Sequence, residues 1–135
     1  MLFRSSASAG KGPNGRDVNL PCQRPPWSRL IAVNANTGEI AWQATLGVNE
    51  NLPVGKQNVG GSGSAGPTAT AGGLVFVGAA DDRRFRAFDA KSGKELWATQ
   101  LDATGNANPI SYQARNGKQY VAIVATSQLV VFALP

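Results

Sequence analysis

A pattern of thirteen residues that occurs twice constrains the fold of this chain more than any other feature. It runs first from Leu30 to Trp42 and again from Phe85 to Trp97. In each copy, alternating residues flank a turn that contains glycine, which predicts a β-hairpin whose second strand carries a tryptophan. The two copies share these residues at equal spacing: Ala32 and Ala87, Ala35 and Ala90, Gly38 and Gly93, Trp42 and Trp97. Leu46 and Leu101, four residues beyond each tryptophan, continue the match.

The two copies lie 55 residues apart, as the positions of Trp42 and Trp97 show. A strand-rich repeat of this length indicates one supersecondary unit used more than once, such as a propeller blade, because a lone four-stranded unit cannot bury both of its faces. Gly38 and Gly93 suit turn positions with positive φ. The two indoles suit contacts between units, in which the ring packs and its N–H donates to a backbone carbonyl.

Composition excludes several classes of site. The chain has 135 residues, one cysteine, Cys22, and no histidine, so it contains no internal disulfide, no cysteine-rich metal site and no histidine-dependent catalytic triad. The net charge of +5 is scattered except at Arg83–Arg86, and no recognition motif accompanies it. Nucleic-acid binding is therefore not favoured, although an anion- or nucleic-acid-binding domain remains a third hypothesis.

The spacing of alternating segments and turns predicts an all-β chain with nine strands. Two belong to a first unit, four to a second and three to a last unit. Residues 1–27 are expected to form an irregular N-terminal arm and a proline-rich loop, and residues 28–135 a partial β-propeller. The incomplete first and last units would leave apolar flanks and open sheet edges. No apolar run approaches the roughly 20 residues that span a bilayer, and the first ten residues lack the apolar middle region of a signal peptide.

Two stretches invite a ligand hypothesis that their chemistry does not favour. The glycine-rich segment 60–66 lacks the Lys-Ser/Thr of a phosphate-binding loop, so a flexible loop or a close backbone approach is the better interpretation. Asp81 and Asp82 could suggest a cation site, but Arg83 and Arg84 follow them directly. Calcium loops need more oxygen ligands at wider spacing, which favours a charged turn.

The second hairpin, at Ala87–Trp97, resembles the tryptophan-docking motif of pyrroloquinoline-quinone (PQQ) dependent dehydrogenases, whose catalytic domain is an eight-bladed β-propeller. The order of the motifs most resembles the C-terminal end of the membrane-bound glucose dehydrogenase branch. The resemblance implies that this chain forms about two to two and a half of the eight blades. Further segments carry it in order: Leu20–Cys22, Pro25–Trp27, Thr37–Trp42, Ala65–Pro67, Thr70–Gly78, Asn108–Pro109, Tyr112, Gly117–Val121 and Val131–Pro135.

That resemblance implies oxidation of a sugar or alcohol hydroxyl in the periplasm, with hydride passing to PQQ beside a Ca²⁺ ion and electrons continuing to a quinone or cytochrome. The family's catalytic Asp, its Ca²⁺ ligands and the Trp beneath PQQ lie on earlier blades, so no catalytic or metal-binding residue is expected here. The expected cofactor-binding residues are Gly66, Pro67, Thr68, Asn108 and Pro109. We therefore expect the isolated chain to be inactive.

One departure from the family pattern also counts against activity. Members of this branch carry a glycine-rich, histidine-containing loop between their last two strands. In this chain the histidine is absent, and the short segment Ala125–Leu129 joins the two strands directly. A second hypothesis is a non-catalytic propeller-repeat module that forms a homo-oligomer or binds a protein partner. The missing strands motivate this hypothesis. Either self-association or the missing propeller blades could cover both open flanks.

Overall fold

The computed structural model describes residues 6–12, 15 and 17–133, with side chains from residue 10 onward. These residues form antiparallel sheets and contain no helix. The strands are β1 (Ser6–Lys11), β2 (Asp17–Pro21), β3 (Arg29–Val33), β4 (Ile40–Thr45), β5 (Thr68–Ala69), β6 (Leu74–Val77), β7 (Arg84–Asp89), β8 (Glu95–Gln100), β9 (Ile110–Gln113), β10 (Gln119–Ala125) and β11 (Gln128–Ala133).

Three of the sheets correspond to the three units predicted from the sequence. Unit 1 is the pair β3–β4, unit 2 is the four-stranded sheet β5–β6–β7–β8, and unit 3 is the three-stranded sheet β9–β10–β11. Within each unit, every strand pairs with the next strand along the chain, as in a propeller blade. The prediction of an all-β partial propeller is confirmed, and so is the number of strands in each unit.

The prediction of an irregular N-terminal arm is wrong for residues 6–11 and 17–21. These segments pair as the hairpin β1–β2, with Ala7 opposite Leu20 and Ser8 opposite Asn19. The segments are polar or small except for Val18 and Leu20, so they lack the apolar alternation that predicts a strand. Backbone pairing forms the hairpin here without a strong side-chain pattern.

The core lies between the units, on both faces of unit 2. On one side, Leu30 and Leu46 from unit 1 and its following loop pack against Val75, Val77 and Phe88. Since successive side chains of a strand point to opposite faces, the neighbouring residues pack the other way. On that second side, Phe76, Phe85, Ala87 and Leu101 meet Val121, Ile123 and Ala125 of unit 3. Fully burying one such large side chain contributes about 1.5–3 kcal/mol.

The sequence repeat is also a structural repeat. Ala32 pairs with Trp42, and Ala87 pairs with Trp97, and each pairing is followed by the same shift of register. Gly38 and Gly93 both adopt positive φ, +75° and +70°. The turns therefore match in backbone conformation, as their glycines predict.

Trp42 makes the contact between units that its position predicts. Its Nε1 donates a hydrogen bond to the backbone oxygen of Ala90 at 2.9 Å, across the boundary between units 1 and 2. Its ring lies against Gly93, where an added Cβ would stand 2.6 Å from Trp42 Cδ2. Trp97 packs edge-on against Phe85 and against Phe132 of unit 3, with ring centroids 5.9 and 5.4 Å away.

Both ends of the stack of units expose apolar side chains. Unit 1 exposes Ile31 and Val33, which are 47% and 57% accessible. On unit 3, the exposed residues Val124, Leu129, Val131 and Ile110 share one face, and Ala122 between them is buried. Tyr112 and Tyr120 stack on the same face, with centroids 5.6 Å apart. The strand count predicts such unpartnered flanks.

Candidate functional site

The five residues predicted to line a cofactor site come together in space. Gly66 and Pro67 directly precede β5, and Asn108 and Pro109 directly precede β9, so they lie where the first strands of two adjacent units begin. Asn108 Oδ1 accepts a hydrogen bond from the backbone N–H of Gly66 at 2.6 Å. Thr68 Oγ1 donates to the backbone oxygen of Pro109 at 2.5 Å. We call these five residues the inter-unit loop cluster.

Within this cluster, the side chain of Asn108 offers the most hydrogen-bonding groups to a ligand. It is exposed, and its amide carries two N–H donors besides the oxygen that Gly66 uses. A Cβ at Gly66 would stand 3.2 Å from Asn108 Oδ1, so a larger residue there would displace the amide. The cluster thus holds one planar polar group at the junction of two units.

A separate cleft of about 750 Å³ lies outside this cluster, and sequence reasoning missed it. None of the five predicted residues lines it. Its wall combines the half-buried ring of Trp27 with polar side chains, among them Asn49, Glu50 and Arg83. Four separate segments of the chain build the cleft, and the only signal in the sequence was the long stretch without periodicity between β4 and β5.

The Asp81–Asp82 turn lies at this cleft. Asp82 is paired with arginines, whereas the carboxylate of Asp81 accepts a hydrogen bond from the hydroxyl of Ser62. The carboxylate of Asp82 is fully buried, and Arg86 Nη1 lies 3.1 Å from Asp82 Oδ1. Arg84 Nη1 lies 3.5 Å from Asp82 Oδ2. The predicted partner Arg83 instead reaches the backbone oxygen of Asp102, so the main partner is Arg86, which the sequence did not single out.

The ion pairs extend outward from this buried pair. Arg86 Nε donates to Glu95 at 3.1 Å, and Arg84 donates to Glu50 at 2.7 Å. Asp82 Oδ2 also accepts the backbone N–H of Val48 at 2.9 Å, which ties the loop after β4 to unit 2. The carboxylates of Asp82, Glu50 and Glu95 are therefore each engaged by an arginine. Among residues 6–12, 15 and 17–133, no three acidic, histidine or cysteine residues cluster as metal ligands would.

The surroundings of Asp82 act on its pKa in opposite directions. Burial has the largest single effect and raises the pKa of the carboxyl, because burial disfavours the charged form. The hydrogen bond and positive charge of Arg86, with the backbone N–H groups of Arg84 and Val48, lower it and together outweigh burial. The net pKa lies below the ordinary value of 3.8, so Asp82 is ionised at neutral pH.

The connection between the last two strands is as short as the sequence indicated. β10 ends at Ala125 and β11 begins at Gln128, so only Thr126 and Ser127 join them. Thr126 has a φ of +57°, in the left-handed region. This part of the chain contributes a tight hairpin and not an extended loop.

In the part of the chain that the structure covers, no helix has the length and hydrophobicity needed to traverse a bilayer.

Comparison with known proteins identifies relatives over most of the chain. Residues 3–121 match the family model described as "PQQ: Glucose/ethanol/alcohol dehydrogenase, beta-propeller domain". The glycerol dehydrogenase large subunit of Gluconobacter thailandicus is 40% identical over 87% of this chain, and the quinoprotein glucose dehydrogenase A of Acinetobacter calcoaceticus is 37% identical over 87%. Among solved structures, a europium-containing methanol dehydrogenase superposes with a TM-score of 0.54, at 35% identity over 70% of this chain.

The chain is much shorter than these relatives. It spans 18% of the glycerol dehydrogenase subunit, 16% of the glucose dehydrogenase and 14% of the methanol dehydrogenase chain. All three are dehydrogenases by name, so the comparisons give no support to the hypothesis of a non-catalytic repeat module. The family match, the propeller-like units and the tryptophan contact between units agree: the chain belongs to the β-propeller family of PQQ-dependent glucose, ethanol and alcohol dehydrogenases.

Proposed function

We propose that this chain is the C-terminal portion of a PQQ-dependent sugar or alcohol dehydrogenase and supplies propeller blades and loops around the quinone site. The observation that carries the proposal is the inter-unit loop cluster, in which Asn108 bridges to Gly66 where two first strands begin. Two relatives are named as dehydrogenases of glycerol and of glucose, which supports a polyhydroxylated substrate for the whole enzyme.

The residues present fit the two implied groups unequally. A calcium ion needs several oxygen ligands, and the described residues contain no cluster of acidic side chains that could provide them. We infer that calcium ligands would come from residues outside the described part of this chain. PQQ is planar and carries carboxylates and carbonyls, which an amide N–H can bind edge-on, so the amide of Asn108 fits this group.

In such an enzyme, the residues of this chain would position the cofactor and would not take part in the chemical step. When bound, PQQ would accept the hydride from the carbinol carbon of the substrate. Asn108 would donate an amide N–H to the edge of the cofactor, while Gly66 N–H holds the amide oxygen and fixes its orientation. Thr68 and Pro109 would keep the two loops together through their hydrogen bond.

A first experiment measures what the isolated chain can do. We expect no oxidation of glucose, glycerol or ethanol in a dye-linked assay with added PQQ and Ca²⁺, because the chain lacks a metal-ligand cluster in its described residues. Isothermal titration with PQQ, with and without Ca²⁺, reports binding separately from turnover. Turnover by the chain alone would contradict the assignment of catalysis to other blades.

A second experiment tests the cluster in a complete enzyme. The chain replaces the matched segment of the A. calcoaceticus glucose dehydrogenase, and apoenzyme is reconstituted with increasing PQQ. We expect the chimera to bind PQQ, and Asn108→Ala to raise the half-saturating PQQ concentration about tenfold, as loss of a buried hydrogen bond does.

Asn36→Ala is the matched control, since Asn36 lies in the turn after β3 and outside the inter-unit loop cluster. It should leave PQQ binding unchanged. A folded chimera whose PQQ affinity is not altered by Asn108→Ala would contradict the proposed role.

The location and the missing blades belong to the same proposal. We infer that the whole enzyme works in the periplasm, which the resemblance to quinoprotein glucose dehydrogenases supports. We also infer that the remaining blades come from the same longer polypeptide. The small share of each relative that this chain spans supports this source.

A further inference from the structure

The cleft beside Trp27, which we call the Trp27 cleft, has the dimensions of a small-molecule site. Its volume of about 750 Å³ falls within the roughly 300–1,000 Å³ that is usual for such sites, which combine apolar surface with a few polar groups. None of the residues of the inter-unit loop cluster lines it. A ligand in the Trp27 cleft would therefore occupy a site separate from the proposed quinone contacts.

The indole of Trp27 supplies the apolar surface of this cleft. Its Nε1 donates to the backbone oxygen of Gln23 at 2.9 Å, and the backbone N–H of Trp27 donates to the oxygen of Val59 at 2.6 Å. The first bond satisfies the only polar group of the indole. What the half-buried ring offers to a ligand is therefore flat carbon surface, against which C–H groups pack.

The charged groups of the wall balance each other. Glu50 and Asp82 line the cleft, but each is paired with an arginine. This leaves one carboxylate, that of Asp81, and one guanidinium, that of Arg83. A charged ligand would lose its hydration here without meeting an excess of opposite charge, whereas a neutral hydroxyl can donate to the carboxylate or accept from the guanidinium.

Arg83 has a backbone conformation that is rare for its residue type. Its φ is +56°, and Arg83 and Thr126 are the only residues other than glycine with positive φ in the described part of the chain. Such conformations are strained, and they concentrate where a side chain is directed at a ligand. Arg83 is exposed and forms no ion pair with a described residue; its one printed contact is Nη1 to Asp102 oxygen at 3.4 Å. Its other N–H groups can therefore bind a ligand.

We propose that the Trp27 cleft is a binding site for a neutral saccharide. The C–H face of a sugar ring would pack on the indole of Trp27, and its hydroxyls would donate to Asp81 and accept from Arg83. The amide nitrogen of Asn49 supplies a further donor at the same wall. Binding requires neither PQQ nor Ca²⁺, so the inference is independent of the proposed quinone contacts.

Fluorine NMR on the full chain provides the test. The chain has three tryptophans, and labelling with fluorinated tryptophan gives one signal for each; the Trp27→Phe variant assigns the signal of Trp27. The probe is maltose, added without PQQ or Ca²⁺. We expect a saturable shift of the Trp27 signal with a dissociation constant in the millimolar range, while the signals of Trp42 and Trp97 stay in place.

Matched variants locate the binding. Arg83→Gly removes the guanidinium and also relieves the strained backbone, because glycine adopts positive φ readily, so the variant should fold at least as stably as the wild type. We expect it to bind maltose about tenfold more weakly. Thr126→Gly is the control, since Thr126 has a φ of +57° but does not line the cleft. It should bind maltose like the wild type.

Three monosaccharides test the charge of the ligand. Glucose is neutral, glucuronate is its acidic counterpart and glucosamine its basic one, and all three keep the same ring. We expect glucose to shift the Trp27 signal at lower concentration than either charged sugar. Tighter binding of glucuronate would show that Arg83 selects an anion, and the assignment to neutral saccharides would be wrong.

Three further results would overturn the proposal. They are the absence of a saturable shift of the Trp27 signal with maltose, equal affinity of Arg83→Gly and the wild type, and equal weakening by Thr126→Gly. Since PQQ is absent throughout, none of these results depends on the role proposed for Asn108.

Discussion

Trp42 Nε1 donates a hydrogen bond of 2.9 Å to the backbone oxygen of Ala90, 48 residues further along the chain. The bond joins the outer strand of unit 1 to the turn between β7 and β8 of unit 2. It combines a directional polar contact with the burial of a large ring against Gly93. A residue pair so distant in sequence fixes how one unit sits on the next.

Trp42→Phe should lower the free energy of unfolding by about 1–3 kcal/mol, because it leaves the partly buried Ala90 carbonyl without its donor. Urea denaturation measures the change. Trp27→Phe is the control, since Trp27 donates to an exposed carbonyl of its own loop, which water can satisfy instead. If both variants lose the same free energy of unfolding, the hydrogen bond between units contributes no more to stability than the bond within the loop.

Gly93→Ala and Gly38→Ala should differ although both introduce a Cβ at positive φ. The backbone strain of about 1–2 kcal/mol is common to both variants. Gly93→Ala also places its Cβ 2.6 Å from Trp42 Cδ2, and such overpacking adds about 1–3 kcal/mol. Thermal or urea unfolding of the two proteins gives the difference, and the prediction is wrong if Gly38→Ala is the more damaging substitution.

Asp82→Asn should be among the most destabilising surface-loop substitutions, because it leaves the buried Arg86 guanidinium without its main counter-charge. Removing one partner of a buried pair costs about 3–5 kcal/mol. Glu50→Gln breaks an ion pair whose carboxylate is 59% exposed, so its cost should stay within about 1 kcal/mol. Chemical denaturation of both variants at neutral pH makes the comparison.

The contribution of Asp82 to stability should depend on acidity. Since the pKa of Asp82 is lower in the folded chain than its ordinary value, ionised Asp82 stabilises the fold above about pH 4. This contribution decreases as the pH falls through the lowered pKa. The gap in unfolding free energy between wild type and Asp82→Asn should therefore be constant near neutral pH and narrow in acid; a gap that widens in acid would contradict it.

The sequence was most informative where a local pattern determines local structure. Alternation around Gly38 and Gly93 predicted both hairpins, and the repeat predicted that Trp42 would contact a neighbouring unit through its ring and its N–H. These features depend on residues close together in the chain or on a spacing that occurs twice. The spatial proximity of Gly66 and Asn108 followed from the resemblance to a family and not from a pattern.

Features that depend on long-range pairing could not be predicted in the same way. The strands β1 and β2 form without apolar alternation, so their composition suggested an irregular arm. Nothing in the sequence around Arg86 distinguishes it from other residues of a strand. Its guanidinium pairs with the carboxylate of Asp82, which lies in the turn before β7. The cleft beside Trp27 is built from four separate segments that no sequence window contains together.

The burial of both faces of unit 2 has a consequence for the order in which the molecule opens. Phe85 and Phe88 face opposite sides of β7, yet they are 0% and 1% exposed, whereas the outward faces of units 1 and 3 leave Val33 and Leu129 57% and 66% exposed. Backbone amides of β6 and β7 should therefore exchange with deuterium most slowly, and those of β4 and β9 should exchange earlier. We therefore expect the central strands β6 and β7 to be the last described part of this chain whose backbone amides exchange with solvent.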